Sequence, residues 1–201
     1  MASWSQLLEE ARGGEHLVQL YGEDDQLLAR NVSRYLAEGL KRGDGLVVIA
    51  TFEHAAAIRR HLGEECPEVP AALQVGRLQF LDARDTLERF TVEGEPDGPS
   101  FQRVIGGVLR EVRARSATGR IRAFGEMVAL LWADGRPDAA AQLEEYWNGL
   151  LRDRSFSLFC AYPIDVFSPD RELEGLNAVL SAHTHLCAGP GTTLSSPRAG
   201  R

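Results

Sequence analysis

Arg122-Ala-Phe-Gly-Glu-Met-Val-Ala-Leu-Leu-Trp132 reads as the end of a buried strand, a turn at Gly125 and the start of a helix. A strand that gives way at once to a helix is half of a parallel βα unit. In open sheets of that kind, ligands bind at the carboxyl ends of the strands. Glu126 stands at such an end, so its carboxylate marks a candidate site.

The pattern repeats in both directions from this stretch. Upstream lies a helix at 101–115, with Phe101, Val104, Ile105, Val108, Leu109 and Val112 on one side. Leu46-Val-Val-Ile-Ala50 is a continuous β-branched run of the kind buried on both faces of a sheet. Further strands are read at 16–21, 77–82, 120–124 and 155–162, the last closed by Pro163. Helices are read from Asp24 and Asp25 to Gly43, and at 53–62, 86–92, 126–132, 138–151 and 170–186, with 63–76 and 93–99 as loops. Alternating strands and helices predict a three-layer α/β fold, a mostly parallel sheet with helices on both faces. Residues 1–13 read as a lead-in helix. The Gly-, Pro- and Ser-rich residues 188–201 read as a disordered tail.

The 201 residues suffice for one large domain, and neither an internal repeat nor a second domain is visible. A net charge of −7 argues against direct nucleic-acid binding. No apolar run approaches the roughly 20 residues of a membrane span, and the N-terminus carries no signal pattern. Three widely spaced cysteines indicate no disulfide framework, and a cytoplasmic location is expected.

The turn after the first strand, Tyr21-Gly-Glu-Asp-Asp, lacks what a nucleotide site needs. It has one glycine and three consecutive acids, and the chain's single lysine, Lys41, lies at the far end of the next helix. Phosphate wants bare N–H groups and positive charge at a helix N-terminus; Asp24 and Asp25 compete for those groups. GxSxG, HExxH and GxGxxG signatures are absent too. His183 and Cys187 would share a helical face as a metal pair. Structural zinc takes four ligands, and no others are visible, so neither a metal nor a cofactor is expected.

The strand ends supply Tyr21, Asp82, Phe124, Glu126, Cys160 and Tyr162 as candidate ligand-binding residues, with Trp132 as a wall. A mostly apolar set with a few polar groups suits a small molecule. Cys160, in an apolar strand with no base beside it, reads as a packed thiol.

The chain resembles the MEDS domain, the sensory domain of dichloromethane-responsive regulators and of methanogen and archaeal histidine kinases. The matching segments are 16–21, Gly39-Leu-Lys-Arg-Gly-Asp44 running on to Thr51, Leu81-Asp82-Ala83 with Thr86-Leu87, 122–132, Leu143-Glu144 with Trp147-Asn148, Phe159-Cys-Ala-Tyr-Pro163, and His183-Thr-His185. The likeness spans about residues 14–187 and rests most on FGEMVALLW and CAYP. It implies a RecA-like core whose ATP loop has degenerated and a sensory role toward small, often hydrocarbon-derived, signals. Such domains are commonly joined to a helix-turn-helix or kinase module, so a histidine kinase or a transcription regulator is the expected partner. A two-fold homodimer is the default assembly.

Three functions follow as expectations. The first is a non-catalytic sensory module with its ligand at the strand ends. The second is a pseudo-ATPase scaffold acting through protein contacts. The third is a divergent enzyme using Glu126 or Asp82 as base and Cys160 as nucleophile.

Overall fold

The computed structural model describes residues 3–22, 25–163, 181–188 and 193–195. In chain order the elements are α1 (Trp4–Glu10), β1 (His16–Tyr21), α2 (Asp25–Arg42), β2 (Gly45–Ala50), α3 (Phe52–Glu65), α4 (Val69–Gln74), β3 (Leu78–Asp82), α5 (Ala83–Glu88), β4 (Thr91–Val92), β5 (Glu95–Pro96), α6 (Gly98–Arg115), β6 (Ile121–Gly125), α7 (Met127–Ala133), α8 (Pro137–Leu151), β7 (Phe156–Pro163), β8 (His185–Ala188) and β9 (Thr193–Ser195). The main sheet has the order β3-β2-β6-β7-β1-β8-β9. Every neighbouring pair in it is parallel except β8–β9.

Alternation along the strands divides the core in two. Val18, Val47, Ala123, Leu158, Cys160 and Tyr162 face the layer of α6, α7 and α8. Leu17, Val48, Phe124, Phe159 and Ala161 face the layer of α1, α2, α3 and α4. Burial on both faces is why the strands read as unbroken apolar runs. Among the described residues, no helix is long and apolar enough to cross a membrane.

Arg122 sits inside the second layer. Its guanidinium donates to Leu8 O at 2.7 Å, Tyr35 O at 2.8 Å and Glu9 O at 2.8 Å. Leu8 and Glu9 belong to the last turn of α1, whose carbonyls have no partner within the helix; a strand arginine therefore caps the lead-in helix. A Cβ on Gly39 would come within 2.6 Å of Arg122 Cδ, so the bare glycine gives the arginine its passage.

α2 stops at Gly43, whose φ of 87° is left-handed. Gly43 N donates to Leu40 O at 3.0 Å and Asp44 N to Gly39 O at 2.9 Å, the paired bonds of a Schellman motif. Gly43→Ala is expected to lower stability by about 1–2 kcal/mol, the cost of a side chain in that conformation. An unchanged urea midpoint would contradict this.

The structure departs from the sequence reading in several places, among them the loop read at 93–99, where Glu95–Pro96 forms β5 against β4. Within the loop read at 63–76, α4 forms, with Pro70 in its first turn where a missing N–H costs nothing. The helix read at 86–92 is α5 shifted upstream, started by Asp82 accepting from Asp85 N at 3.0 Å, and β4 follows. His185–Ala188 is not a helix end but a strand beside β1, led in by Thr184 N donating to His16 O at 2.7 Å. In the segment read as a disordered tail, Thr193–Ser195 forms β9 against β8. The rest of that tail, the helix read from 170 onward as far as 180, and Asp24 lie outside the described residues.

Candidate functional site

The residues read from the strand ends separate into groups. Glu126, the N-cap of α7, is nearly fully buried and turns toward the start of α3. One of its oxygens accepts a short hydrogen bond from Thr51 N, and the other lies 2.6 Å from His54 Nδ1. The Tyr21 ring meets His54 edge-on at 5.8 Å. This carboxylate ties the β6–α7 junction to the β2–α3 junction. Asp82 is exposed and serves as the cap of α5. Phe124 is fully buried on the α2 face of the sheet, edge-on to Phe159 at 5.7 Å.

Trp132, Cys160 and Tyr162 gather on the other face. A cavity of about 320 Å³ is lined by Trp132, Ala141, Glu144, Asn148, Tyr162 and Ala182, among others. Its wall comes from α7 and α8, and its floor from the end of β7. Glu144, which lines the cavity, also belongs to a cluster of buried polar groups with His16 from β1, Cys160 from β7, and His183 just before β8. Their ligand-type atoms all lie within 4.8 Å of one another.

Each member is positioned by its element. His16, Cys160 and Tyr162 point to the same face because they occupy matching phases of paired strands, Val18 standing opposite Cys160. Glu144 lies on the buried stripe of α8 with Ala140 and Trp147. His183 is delivered by the chain that runs into β8. Asn148, one turn after Glu144, places Oδ1 at 3.0 Å from His16 Nδ1 and donates Nδ2 to Ala182 O at 3.2 Å. That second bond fixes the amide orientation, so His16 Nδ1 must be the donor and Nε2 carries the lone pair. Nε2 then lies 3.2 Å from Cys160 Sγ and 3.5 Å from Glu144 Oε2. Tyr162 donates a short hydrogen bond to Glu144 Oε1, and His183 Nε2 is 3.4 Å from that oxygen.

Burial favours the neutral form of these groups. It holds His16 down to about 3, helped by the charge of His183 and opposed by that of Glu144. It raises Glu144, against the opposing pull of His16 and the Tyr162 hydrogen bond. It pushes the Cys160 thiol and the Tyr162 hydroxyl well above their usual ranges, with the charge of Glu144 adding to both.

His16, Glu144 and Asn148 are not among the candidate ligand-binding residues read at the strand ends, although the segments resembling the MEDS domain contain them. One signal was present for Glu144: a carboxylate at the spacing of the apolar stripe, four residues after Ala140 and three before Trp147. The sequence pairs His183 with Cys187 on a helix; in the structure its cluster partners, His16, Glu144 and Cys160, come from three other elements.

The sheet order, the two helical layers and the strand-end edge define a RecA-like α/β protein. A KaiC-like protein of the hyperthermophilic archaeon Pyrococcus horikoshii superposes with a TM-score of 0.52 at 14% identity, covering 87% of this chain and 71% of that one. Among curated proteins, none matches the sequence. The family model described as MEDS, the methanogen/methylotroph, DcmR sensory domain, matches residues 15–184, and the chain belongs to that family.

Proposed function

We propose that the chain is a non-catalytic sensory module that binds a small, partly apolar ligand in the cavity between α8 and the end of β7. The observation that carries this reading is the cavity itself. Its volume of about 320 Å³ falls in the lower part of the range of small-molecule sites, roughly 300–1,000 Å³. Trp132 and Ala141 offer apolar contact, while Glu144, Asn148 and Tyr162 offer a few orienting polar groups. Membership in a sensory-domain family supports the role, and hydrocarbon-derived compounds are the ligand class it suggests. The ligand acts through its differential affinity for two arrangements of α8 against the sheet, and a histidine kinase or transcription regulator reads the difference. The acidic turn after β1, with no lysine near it, supports a RecA-like core that has lost its ATP loop. The Cys160 side chain is fully buried, out of contact with solvent, which favours this reading over a nucleophilic enzyme.

The test is thermal shift of the full chain against nucleotides with Mg²⁺ and against halogenated and short-chain organic molecules. Ligand at about 100 Kd adds roughly 2.7 kcal/mol. The expected result is stabilisation by a small organic molecule, lost in Ala141→Trp, which fills the cavity mouth. Stabilisation by Mg-ATP with none from the organic panel would overturn the reading.

A further inference from the structure

We propose that His16, Glu144, Cys160 and His183 hold one divalent transition-metal ion of the zinc type, beside the cavity that Glu144 also lines. Metal–nitrogen, –oxygen and –sulfur bonds of about 2.0–2.3 Å in a tetrahedron set neighbouring donors roughly 3.3–3.8 Å apart. The distances here are 3.2 Å for His16 Nε2 to Cys160 Sγ and 3.5 Å for His16 Nε2 to Glu144 Oε2, and the remaining donor pairs lie within 4.8 Å. Side-chain adjustments of a few tenths of an ångström therefore suffice along the first two edges. Two imidazoles, a thiolate and a carboxylate make a donor set suited to zinc and its neighbours.

Two further observations point to an ion rather than to ordinary polar packing. Glu144 Oε2 is buried with no hydrogen-bond partner among the described residues, although Oε1 of the same carboxylate is fixed by Tyr162. Ligating histidines donate their second ring nitrogen to an oxygen acceptor, which fixes the tautomer; His16 does so through Nδ1 to Asn148 Oδ1 at 3.0 Å. The lone pair of Nε2 is thereby aimed at the other three donors. Binding the ion releases the thiol proton to solvent. Four protein donors close the coordination shell, as in structural sites, and the ion joins β1, β7 and α8 to the chain entering β8. Its binding does not depend on the cavity taking an organic molecule.

The full chain, stripped with chelator under reducing conditions, is titrated with Co²⁺ alone and then with Zn²⁺. One equivalent of Co²⁺ should give the visible bands of a tetrahedral ion and a near-ultraviolet thiolate-to-cobalt band, both erased by Zn²⁺. Cys160→Ser should lose the thiolate band. Cys66→Ser, on the opposite face of the sheet, should keep it. Asn148→Ala retains every donor and should weaken binding by about 10–100-fold, which serves where the cysteine variant does not fold. The proposal is overturned by a folded wild-type chain showing no thiolate band, by a band that survives in Cys160→Ser, or by Asn148→Ala leaving affinity unchanged. Because no organic ligand is present, a negative result here leaves the thermal-shift result standing, and the reverse holds as well.

Discussion

Arg122→Met is expected to lower stability by about 3–5 kcal/mol, the usual cost of removing one partner from a buried charged network. The substitution leaves three carbonyls, Leu8 O, Glu9 O and Tyr35 O, without their donor. It also strips the cation from Asp44, a buried carboxylate whose Oδ2 lies 3.7 Å from Arg122 Nε. Asp44 would keep its bond from Thr118 Oγ1 at 2.5 Å, so its desolvation is only partly offset. The arginine further stacks over the Tyr35 ring at 5.1 Å. Lysine cannot reproduce a fork that serves three acceptors at once, so Arg122→Lys should recover only part of the loss. Urea unfolding of the two variants checks this. A cost for Arg122→Met below about 1 kcal/mol, the worth of an exposed pair, would mean that the guanidinium contributes no more than a surface ion pair does.

Phe159→Ala is expected to cost about 3–5 kcal/mol, as large-to-small changes at fully buried aromatics do. Phe159 is the hub of the α1–α4 side of the core. Trp4, Tyr35 and Phe124 each meet its ring edge-on, at 5.8, 5.6 and 5.7 Å. Three elements besides β7 would lose contacts around one cavity. Phe159→Leu keeps most of the volume and should cost under about 1.5 kcal/mol by the rule for volume-conserving swaps, plus what the edge-on geometry contributes. Equal denaturation midpoints for the two variants would show that the ring packing is not what holds these helices to the sheet.

Much of the architecture was legible because its cause is local. Leu46-Val-Val-Ile-Ala50 can only satisfy its apolar side chains on both faces of a sheet, and it is β2. The six-residue segment 16–21 and the Phe-Gly-Glu-Met junction follow the same logic. What misled was decided by partners far away in sequence. His185-Leu-Cys-Ala188 has too short a pattern to choose between strand and helix; pairing with β1 chooses for it. α4 was hidden by Pro67 and Pro70, which read as loop until one of them is seen at a helix start.

The site was legible only in pieces. Trp132 and Tyr162, read as candidate ligand-binding residues, line the cavity, and Cys160 is buried two residues before Tyr162 on β7. Nothing in a linear reading joins His16 to Cys160, 144 positions away. Their meeting depends on β1 entering the sheet beside β7, a crossover that the chain order does not dictate. In the sequence His16 is simply the first residue of the strand at 16–21, and Glu144 one residue of the helix at 138–151.

The placement of β1 between β7 and β8 also bears on the order in which the molecule comes together. Contacts that close large loops form slowly, because loop entropy is lost before the contact repays it. Thr184 reaches the backbone of His16 across 168 positions, so the edge of the sheet must wait for almost the whole chain. During synthesis, β1 and β2 leave the ribosome long before β6 and β7 exist to be slotted between them. The four-residue cluster accordingly belongs to the finished sheet alone, and a nascent chain that has not yet emerged through His183 has no such site to fill.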